Sequence, residues 1–315
     1  LKIVEEMIHY VWATDKYRNS LEIYREAITR SLQNMRWWMA PGPTHETVIV
    51  PWQDFLQKNG VEFMLQETIE KATEKGNIVE LHLKNNEKKL KTRTVMLATT
   101  NVDAGLIAKN SSLSGLEKCH QISRTSMHSV TIYLTETPNF SQLCSTELSK
   151  FDNPWKISTQ PYTRENWSLY NWQDVPEQVD TILSCIFSCS DQLGFLDRAA
   201  NQCTEPQLID EIIEFLSHYE VITKEQLYLL PDNKKGIIDK MLRFDPHPKS
   251  LETLIAVQAK EYSFLGQTSN PIHPWLFLAG TWVDNQYGCH SFMEVACITG
   301  ENAAHSAQEY LENHS

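Results

Sequence analysis

Residues 271–311 read PIHPWLFLAGTWVDNQYGCHSFMEVACITGENAAHSAQEYL. The apolar run 275–279 has the length and composition of a buried strand, and it stops at Gly280, where a backbone without a side chain can approach another group closely. After a polar turn, Ser291 is a good N-cap for a helix with an apolar stripe. Such a unit presents backbone N–H groups to an electron-rich ligand, but spacing alone does not separate it from an ordinary strand–turn–helix unit.

This stretch resembles the C-terminal FAD-binding segment of the flavin-containing amine oxidoreductase and phytoene-desaturase superfamily. There the segment has an apolar strand, Ala-Gly, an acidic residue, a loop and Met-Glu-Gly-Ala, followed by Ser-Gly and Ala-Ala. The matching residues are Leu278-Ala279-Gly280, Met293-Glu294, Ala296, Gly300 and Ala303-Ala304. The chain departs from the pattern at Thr281, where the family has Asp or Glu, and at Val295, where it has Gly. The resemblance implies that the FAD contacts are Gly280, Thr281, Phe292, Met293, Glu294 and Ala296.

A second segment, nearer the start, resembles the middle FAD segment of the same superfamily. Its pattern predicts a helix over 44–59 that ends at Gly60. Strands are predicted over 61–65, 78–83 and 94–98. The two segments stand in the family order, about 180 residues apart. The resemblance implies that the residues at the adenine and near the dinucleotide are Thr68, Ile69, Ala98, Thr99 and Thr100.

The family's first segment has no counterpart here. Flavin enzymes of this class open with a βαβ unit bearing G-x-G-x-x-G, whose glycines let the backbone approach the pyrophosphate. None of the eleven glycines stands in that arrangement. We expect the segment to precede Leu1 in a longer chain, to be lost, or to exist as a separate chain. The chain alone is then expected to hold FAD poorly.

Composition and charge exclude several classes of partner. The net charge is −12 with scattered acidic residues, which argues against nucleic acid, since that binding rests on clustered Lys and Arg. The seven cysteines lack framework spacing and predict reduced thiols in a cytoplasmic protein. Cys185 and Cys189 have no accompanying pair of ligands, so no metal site is expected. No apolar run is long enough to span a membrane, and no signal peptide is recognisable.

Within the superfamily, a few residues indicate the substrate class. Amine oxidases carry a Lys on a substrate-domain strand, and the matching strand here, 127–133, has none. Their aromatic cage uses a Tyr just before Met-Glu-Gly-Ala, where this chain has Phe292. The resemblance thus implies a small, apolar or weakly polar substrate without a basic amine. His128 is the one acid/base candidate on that strand. The segment 151–175 is rich in Trp and Tyr, which suits either an apolar cavity or plain packing.

The sequence predicts an α/β fold with two domains. The first is a discontinuous, Rossmann-type FAD-binding domain formed by 40–102 and 271–312, with the 275–279 strand beside the 94–98 strand. The second is an α+β substrate domain with a mixed or antiparallel sheet, formed by 1–39, expected to be helical, and 103–270.

Three hypotheses about function follow from these residues. The first is an FAD-dependent oxidoreductase that removes a hydride from its substrate. The second is a degenerate relative that acts as a binding or scaffolding module, and the third is an unrelated α/β protein whose tail matches by chance.

Overall fold

The computed structural model describes residues 40–84, 89–139, 154–155, 157–187, 191–238, 242–244, 248–250, 253–255, 259–284 and 293–314. Several sequence predictions lie outside these residues: the helices of 1–39, Cys189, the N-cap Ser291 and the flavin contact Phe292.

The described helices are α1 (Val50–Lys58), preceded by a π-helical turn His45–Ile49, α2 (Asn101–Ser111), α3 (Glu205–His218) and α4 (Met293–Asn313). The strands are β1 (Ile69–Lys75), β2 (Ile78–Leu83), β3 (Lys89–Thr92), β4 (Val95–Leu97), β5 (Arg124–Ser126), β6 (His128–Leu134), β7 (Ser158–Thr163), β8 (Thr181–Phe187), β9 (Ile237–Ile238), β10 (Leu242–Phe244), β11 (Pro248–Ser250), β12 (Thr253–Ile255) and β13 (Leu276–Leu278). Short 3₁₀ segments are Cys119–Gln121, Trp172–Asp174, Ala200–Gln202, Lys224–Gln226, Pro231–Asn233 and Ala259–Phe264.

The described residues form two compact units. The first unit contains 40–62 and 125–253, and the second contains 63–124 and 254–314. The boundaries of these units differ from those of the predicted domains, and the assignment of a cofactor or substrate role to 40–102, 271–312 and 103–270 stays a prediction.

The first unit is built on an antiparallel sheet in the order β7-β8-β6-β9. On β6, Val130, Ile132 and Leu134 are fully buried and alternate with half-buried residues, so one face of the sheet forms the core. Helix α3 packs its apolar stripe into the same core. It begins at a capping box in which Thr204 and Gln207 satisfy each other's backbone groups.

Of the two predicted alternatives for this region, a mixed or an antiparallel sheet, the described strands of this sheet form the antiparallel one. All described pairings in that sheet are antiparallel, which requires no helical crossover between neighbouring strands. The apolar stripe of residues 205–218 indicates a helix and the β-branched and apolar run 181–187 indicates a strand, and they form α3 and β8.

The second unit contains an antiparallel meander β1-β2-β3 and a parallel pair formed by β4 and β13. The register of the parallel pair places Leu276 opposite Val95 and Leu278 opposite Leu97. The predicted contact between the 94–98 and 275–279 strands is thus confirmed. The core of the unit forms between this pair, the meander and α2.

The predicted strand over 61–65 is wrong. These residues lie outside every described strand, and Phe63, Met64 and Leu65 are exposed, Leu65 to 71%. The alternation of apolar residues favours a strand, but a strand forms only where a neighbour supplies hydrogen bonds. No described strand pairs with this segment.

Among the described helices, none is both long and apolar enough to cross a bilayer.

Candidate functional site

The candidate site lies where β4 and β13 both end. The Val95 N–H donates to the Trp275 carbonyl at 2.9 Å, and the Ala279 N–H donates to the Leu97 carbonyl at 3.1 Å. Because the strands are parallel, the turns that follow them leave the same edge of the sheet. The structure therefore brings together two groups of predicted site residues: Ala98, Thr99 and Thr100, and Gly280 and Thr281.

Gly280 has the backbone conformation that the turn requires. Its φ of +123° lies in a region that residues with a side chain rarely adopt. Its N–H donates to the hydroxyl of Thr299 at 3.0 Å. Thr299 is fully buried in α4, so this bond ties the turn to the helix that begins at Met293.

Trp282 connects the two strand ends. Its indole N–H donates to the Thr99 carbonyl at 2.8 Å, and its side chain is 1% exposed. The ring packs against Gly266, where an added Cβ would lie only 2.5 Å from it. The indole thus fixes the main chain of the first turn against that of the second.

Helix α2 begins at this edge. Thr100 is its N-cap: the hydroxyl accepts from the Asp103 N–H at 3.2 Å and donates to the Asp103 carboxylate at 2.7 Å. Ala98, Thr99 and Thr100 are exposed, as are Met293 and Ala296 at the start of α4. The Glu294 side chain lies outside the described ones. Two helix N-termini and two strand ends offer mainly backbone groups, which suits an electron-rich ligand.

Thr68 and Ile69 are held elsewhere in the second unit. The Thr68 carbonyl accepts from the Lys84 N–H at 2.8 Å, and Ile69 begins β1 and packs against the core. The contacts between β1 and α2 involve the end of the helix, where the Ser111 hydroxyl accepts from the Ala72 N–H at 2.8 Å. That end lies roughly 15 Å along the axis from the N-cap. The role of Thr68 and Ile69 at an adenine stays a prediction.

One edge of the parallel pair is open. The far edge of β13 is covered, since the Leu278 N–H donates to the Thr268 carbonyl at 2.9 Å and the Asn270 N–H to the Leu276 carbonyl at 3.1 Å. In a parallel ladder, successive residues of one strand direct their N–H and C=O groups to opposite sides. Val95 and Leu97 bond to β13, so the N–H and C=O groups of Met96 point away from it. Within the described ranges no strand pairs with that side of β4, and the Met96 side chain is 40% exposed.

His128 lies in the interior of the first unit. It is 6% exposed, shares a sheet face with Val130, and its ring centroid is 5.3 Å from that of Phe187. These surroundings are those of a core histidine, on the face of β6 opposite to Thr131. Its catalytic role stays a prediction and gains no support from its position.

In the first unit, aromatic side chains cover one end of the sheet face that lies opposite to His128. The members of this aromatic cluster are Tyr133, Tyr162, Trp167, Tyr170, Trp172 and Tyr228. The Tyr162 and Trp167 rings stack with centroids 4.0 Å apart. Burial raises the pKa of the phenols of Tyr133, Tyr162 and Tyr170, so each stays neutral at physiological pH.

Glu211 is a buried carboxyl of the first unit that the sequence analysis did not select. It is 1% exposed, and its Oε1 accepts from the Leu196 N–H at 2.7 Å. Burial raises the pKa of this carboxyl, and the backbone N–H groups of Leu196 and Phe195 oppose the rise. The group anchors the turn around Gly194, where an added Cβ would collide with it. Perturbed pKa values can mark functional sites, but this geometry is that of a structural anchor.

Sequence reasoning missed Thr299 and Trp282. Thr299 stands at the Ser of the family's Ser-Gly pair, so the pattern that located Gly300 could have indicated it. Trp282 carried no signal, because its partner Thr99 is 183 residues away.

Comparisons with solved structures define the fold. At 14% identity and a TM-score of 0.52, the chain is similar to a protein from Exiguobacterium sp. 255-15 assigned as a protoporphyrinogen oxidase, matching 98% of this chain and 63% of that one. At 13% identity and a TM-score of 0.55, it is similar to cyclohexylamine oxidase from Brevibacterium oxydans IH-35A, matching 98% and 64%. A redesigned putrescine oxidase gives 8% identity and a TM-score of 0.51, with 84% and 52% matched.

These likenesses show an α/β fold shared with such oxidases. The chain spans just under two thirds of the length of the first two neighbours. No protein-family description matches the sequence. No curated protein matches it either.

Proposed function

We propose that this chain belongs to an FAD-dependent oxidoreductase of the amine oxidase and phytoene desaturase type, acting on a small, apolar or weakly polar substrate. The observation that carries the proposal is the edge at which β4 and β13 end together, with the Gly280 turn hydrogen-bonded to the start of α4. The sequence pattern of a flavin segment falls at this edge, and the solved structures that share the fold are oxidases.

The residues at this edge fit a flavin dinucleotide. Gly280 offers a close approach, and the first turn of α4 offers N–H groups without helical partners. The departure at Val295 is compatible with binding, because that side chain is fully buried inside the unit while Met293 and Ala296 are exposed. Bound FAD would supply the hydride acceptor. The chain would orient it and, through the α4 dipole, stabilise negative charge by about 0.3–1 kcal/mol.

The uncharged face of β6 supports the proposed substrate. The face of β6 opposite to His128 carries Ser129, Thr131 and Tyr133, all half-buried and uncharged. The aromatic cluster adds phenols that burial keeps neutral. A basic amine would find no described charged partner on this strand, whereas an apolar or weakly polar molecule would lose little hydration there.

We further propose that another segment completes the cofactor site. The open edge of β4 at Met96 and the exposed apolar residues at 63–65 favour a partner that supplies a strand and a glycine-rich loop. It would either precede this sequence in a longer chain or be a separate chain.

The test is a titration of the full-length protein with FAD, followed by its visible spectrum and flavin reduction potential. We expect a bound flavin, and we expect Met293→Pro to weaken FAD binding or lower its reduction potential while the fold survives. Proline removes one N–H, and the first turn of a helix tolerates it, as Pro206 shows in α3. The matched control is Ala307→Ser, near the other end of α4, which should leave both quantities unchanged.

The second candidate is a binding or scaffolding module without catalysis. Thr281 favours it, because the family's carboxylate is absent at that position. Full-length protein that stays colourless after incubation with FAD would support this module and contradict the oxidoreductase.

A further inference from the structure

Thr299 is a buried residue with more hydrogen-bond contacts than its place in a helix requires. Its hydroxyl lies 3.0 Å from the Val295 carbonyl and 3.1 Å from the Ala296 carbonyl, the usual bonds of a threonine to its own helix. It also accepts from the Gly280 N–H at 3.0 Å and lies 3.3 Å from the Gly280 carbonyl. Bonding to its own helix would satisfy the hydroxyl, so its additional contacts at Gly280 mark a second role.

The second role of Thr299 is to orient the Gly280 peptide. The Gly280 N–H has no other described acceptor, and the φ of Gly280 is one that residues with a side chain rarely adopt. On the other side of the turn, Trp282 is fixed to the Thr99 carbonyl. The turn is therefore fastened to α4 by Thr299 and to the end of β4 by Trp282.

We propose that Thr299 is a positioning residue for the cofactor: its hydroxyl sets the Gly280 turn relative to the first turn of α4. The glycine, which has no side chain to obstruct a ligand, and the N–H groups of that first turn then face one ligand. Thr299 itself does not touch that ligand. The proposal rests on the proposed function, because the ligand in question is the flavin. Its structural half, the coupling of Gly280 to α4, can be measured without any flavin.

The experiment compares Thr299→Val with Thr299→Ser in the full-length protein. Valine removes the hydroxyl at similar volume, and serine keeps it. The matched control is Thr181→Val, which removes an equally buried hydroxyl in the first unit, bonded to the Asp180 carboxylate at 2.9 Å. Each variant is measured by amide hydrogen exchange at Gly280, by its dissociation constant for FAD, and by its flavin reduction potential.

With Thr299→Val we expect Gly280 to exchange about tenfold faster and FAD to bind about tenfold more weakly, the factor that the loss of one hydrogen bond produces. Thr299→Ser should restore both, and Thr181→Val should change neither, although it lowers stability. Unchanged exchange at Gly280 in Thr299→Val would overturn the coupling. Faster exchange with an unchanged FAD constant and potential would overturn the positioning role. A parent protein without affinity for FAD would instead overturn the proposed function, and exchange would still decide the coupling.

Discussion

The two units hold their sheets in place by different kinds of contact. In the first unit, side chains cover both faces of the β7-β8-β6-β9 sheet: the apolar stripe of α3 packs on one face and the aromatic cluster on one end of the other. In the second unit, the β4 and β13 pair ends in turns held by main-chain contacts to Thr299 and Trp282. The first arrangement is stabilised by side-chain packing and offers few polar groups to a ligand, whereas the second leaves polar backbone groups available to one.

The largest expected effect is in the first unit. Leu208 of α3 is fully buried in the core, so Leu208→Ala should lower the free energy of unfolding by about 3–4 kcal/mol, through lost burial and the cavity left behind. Denaturant unfolding measures the change. The control is Leu169→Ala, at a side chain that is 65% exposed, which should cost well under about 1 kcal/mol. Equal losses for both variants would contradict the described core.

An intermediate effect is expected where backbone packs on Trp282. A Cβ on Gly266 would lie 2.5 Å from the indole and 2.8 Å from Leu278, so Gly266→Ala should cost about 1–3 kcal/mol and displace the ring. Thermal unfolding and Trp fluorescence report the two consequences.

The control for this substitution is Gly300→Ala in α4, where an added Cβ meets nothing within 4 Å. Alanine there should raise stability by about 0.5–1 kcal/mol, since it favours the helix. A Gly266→Ala variant that is as stable as the parent protein, or more stable, would refute the close contact at Gly266.

The smallest effect concerns Glu211. Burial raises the pKa of the Glu211 carboxyl in the folded protein, so folding favours the protonated form. The protonated carboxyl therefore adds to the free energy of unfolding at low pH. This contribution is lost as pH rises from the pKa of an ordinary carboxyl through the raised pKa. Glu211→Gln keeps an acceptor for the Leu196 N–H and cannot ionise. We expect the variant to gain stability over the parent protein with rising pH, by roughly 1 kcal/mol. Denaturant midpoints at several pH values test it, and a gap that widens towards acid would contradict the direction.

How much the sequence could predict depends on how local each feature is. Helix α3 was predictable because its cap and apolar stripe lie within one segment, and β4 beside β13 was predictable from two motifs in the family order. The strand at 61–65 was predicted wrongly, because its residues favour extension but no described strand pairs with it. His128 is buried because it lies on the core-facing side of β6, as the alternation along that strand indicates. The chemistry of a histidine side chain alone gives no such indication.

The site was predictable only in part for a similar reason. Gly280 and the residues after β4 could be located by motif, since each motif is contiguous. The contacts that hold them together join residues far apart: Thr99 with Trp282, and Gly280 with Thr299. Such hydrogen bonds depend on how the strands come into register, which single motifs do not encode.

The parallel pair also has a consequence for the order in which the protein forms. Its two strands lie about 180 residues apart in the chain, so closing that loop costs far more entropy than forming the hairpin between β1 and β2. Contacts of such long range form slowly, and all of the first unit between 125 and 253 is synthesised before β13 exists. The edge at Gly280 therefore cannot form until β13 has left the ribosome, and a cofactor that binds there must be loaded after that point.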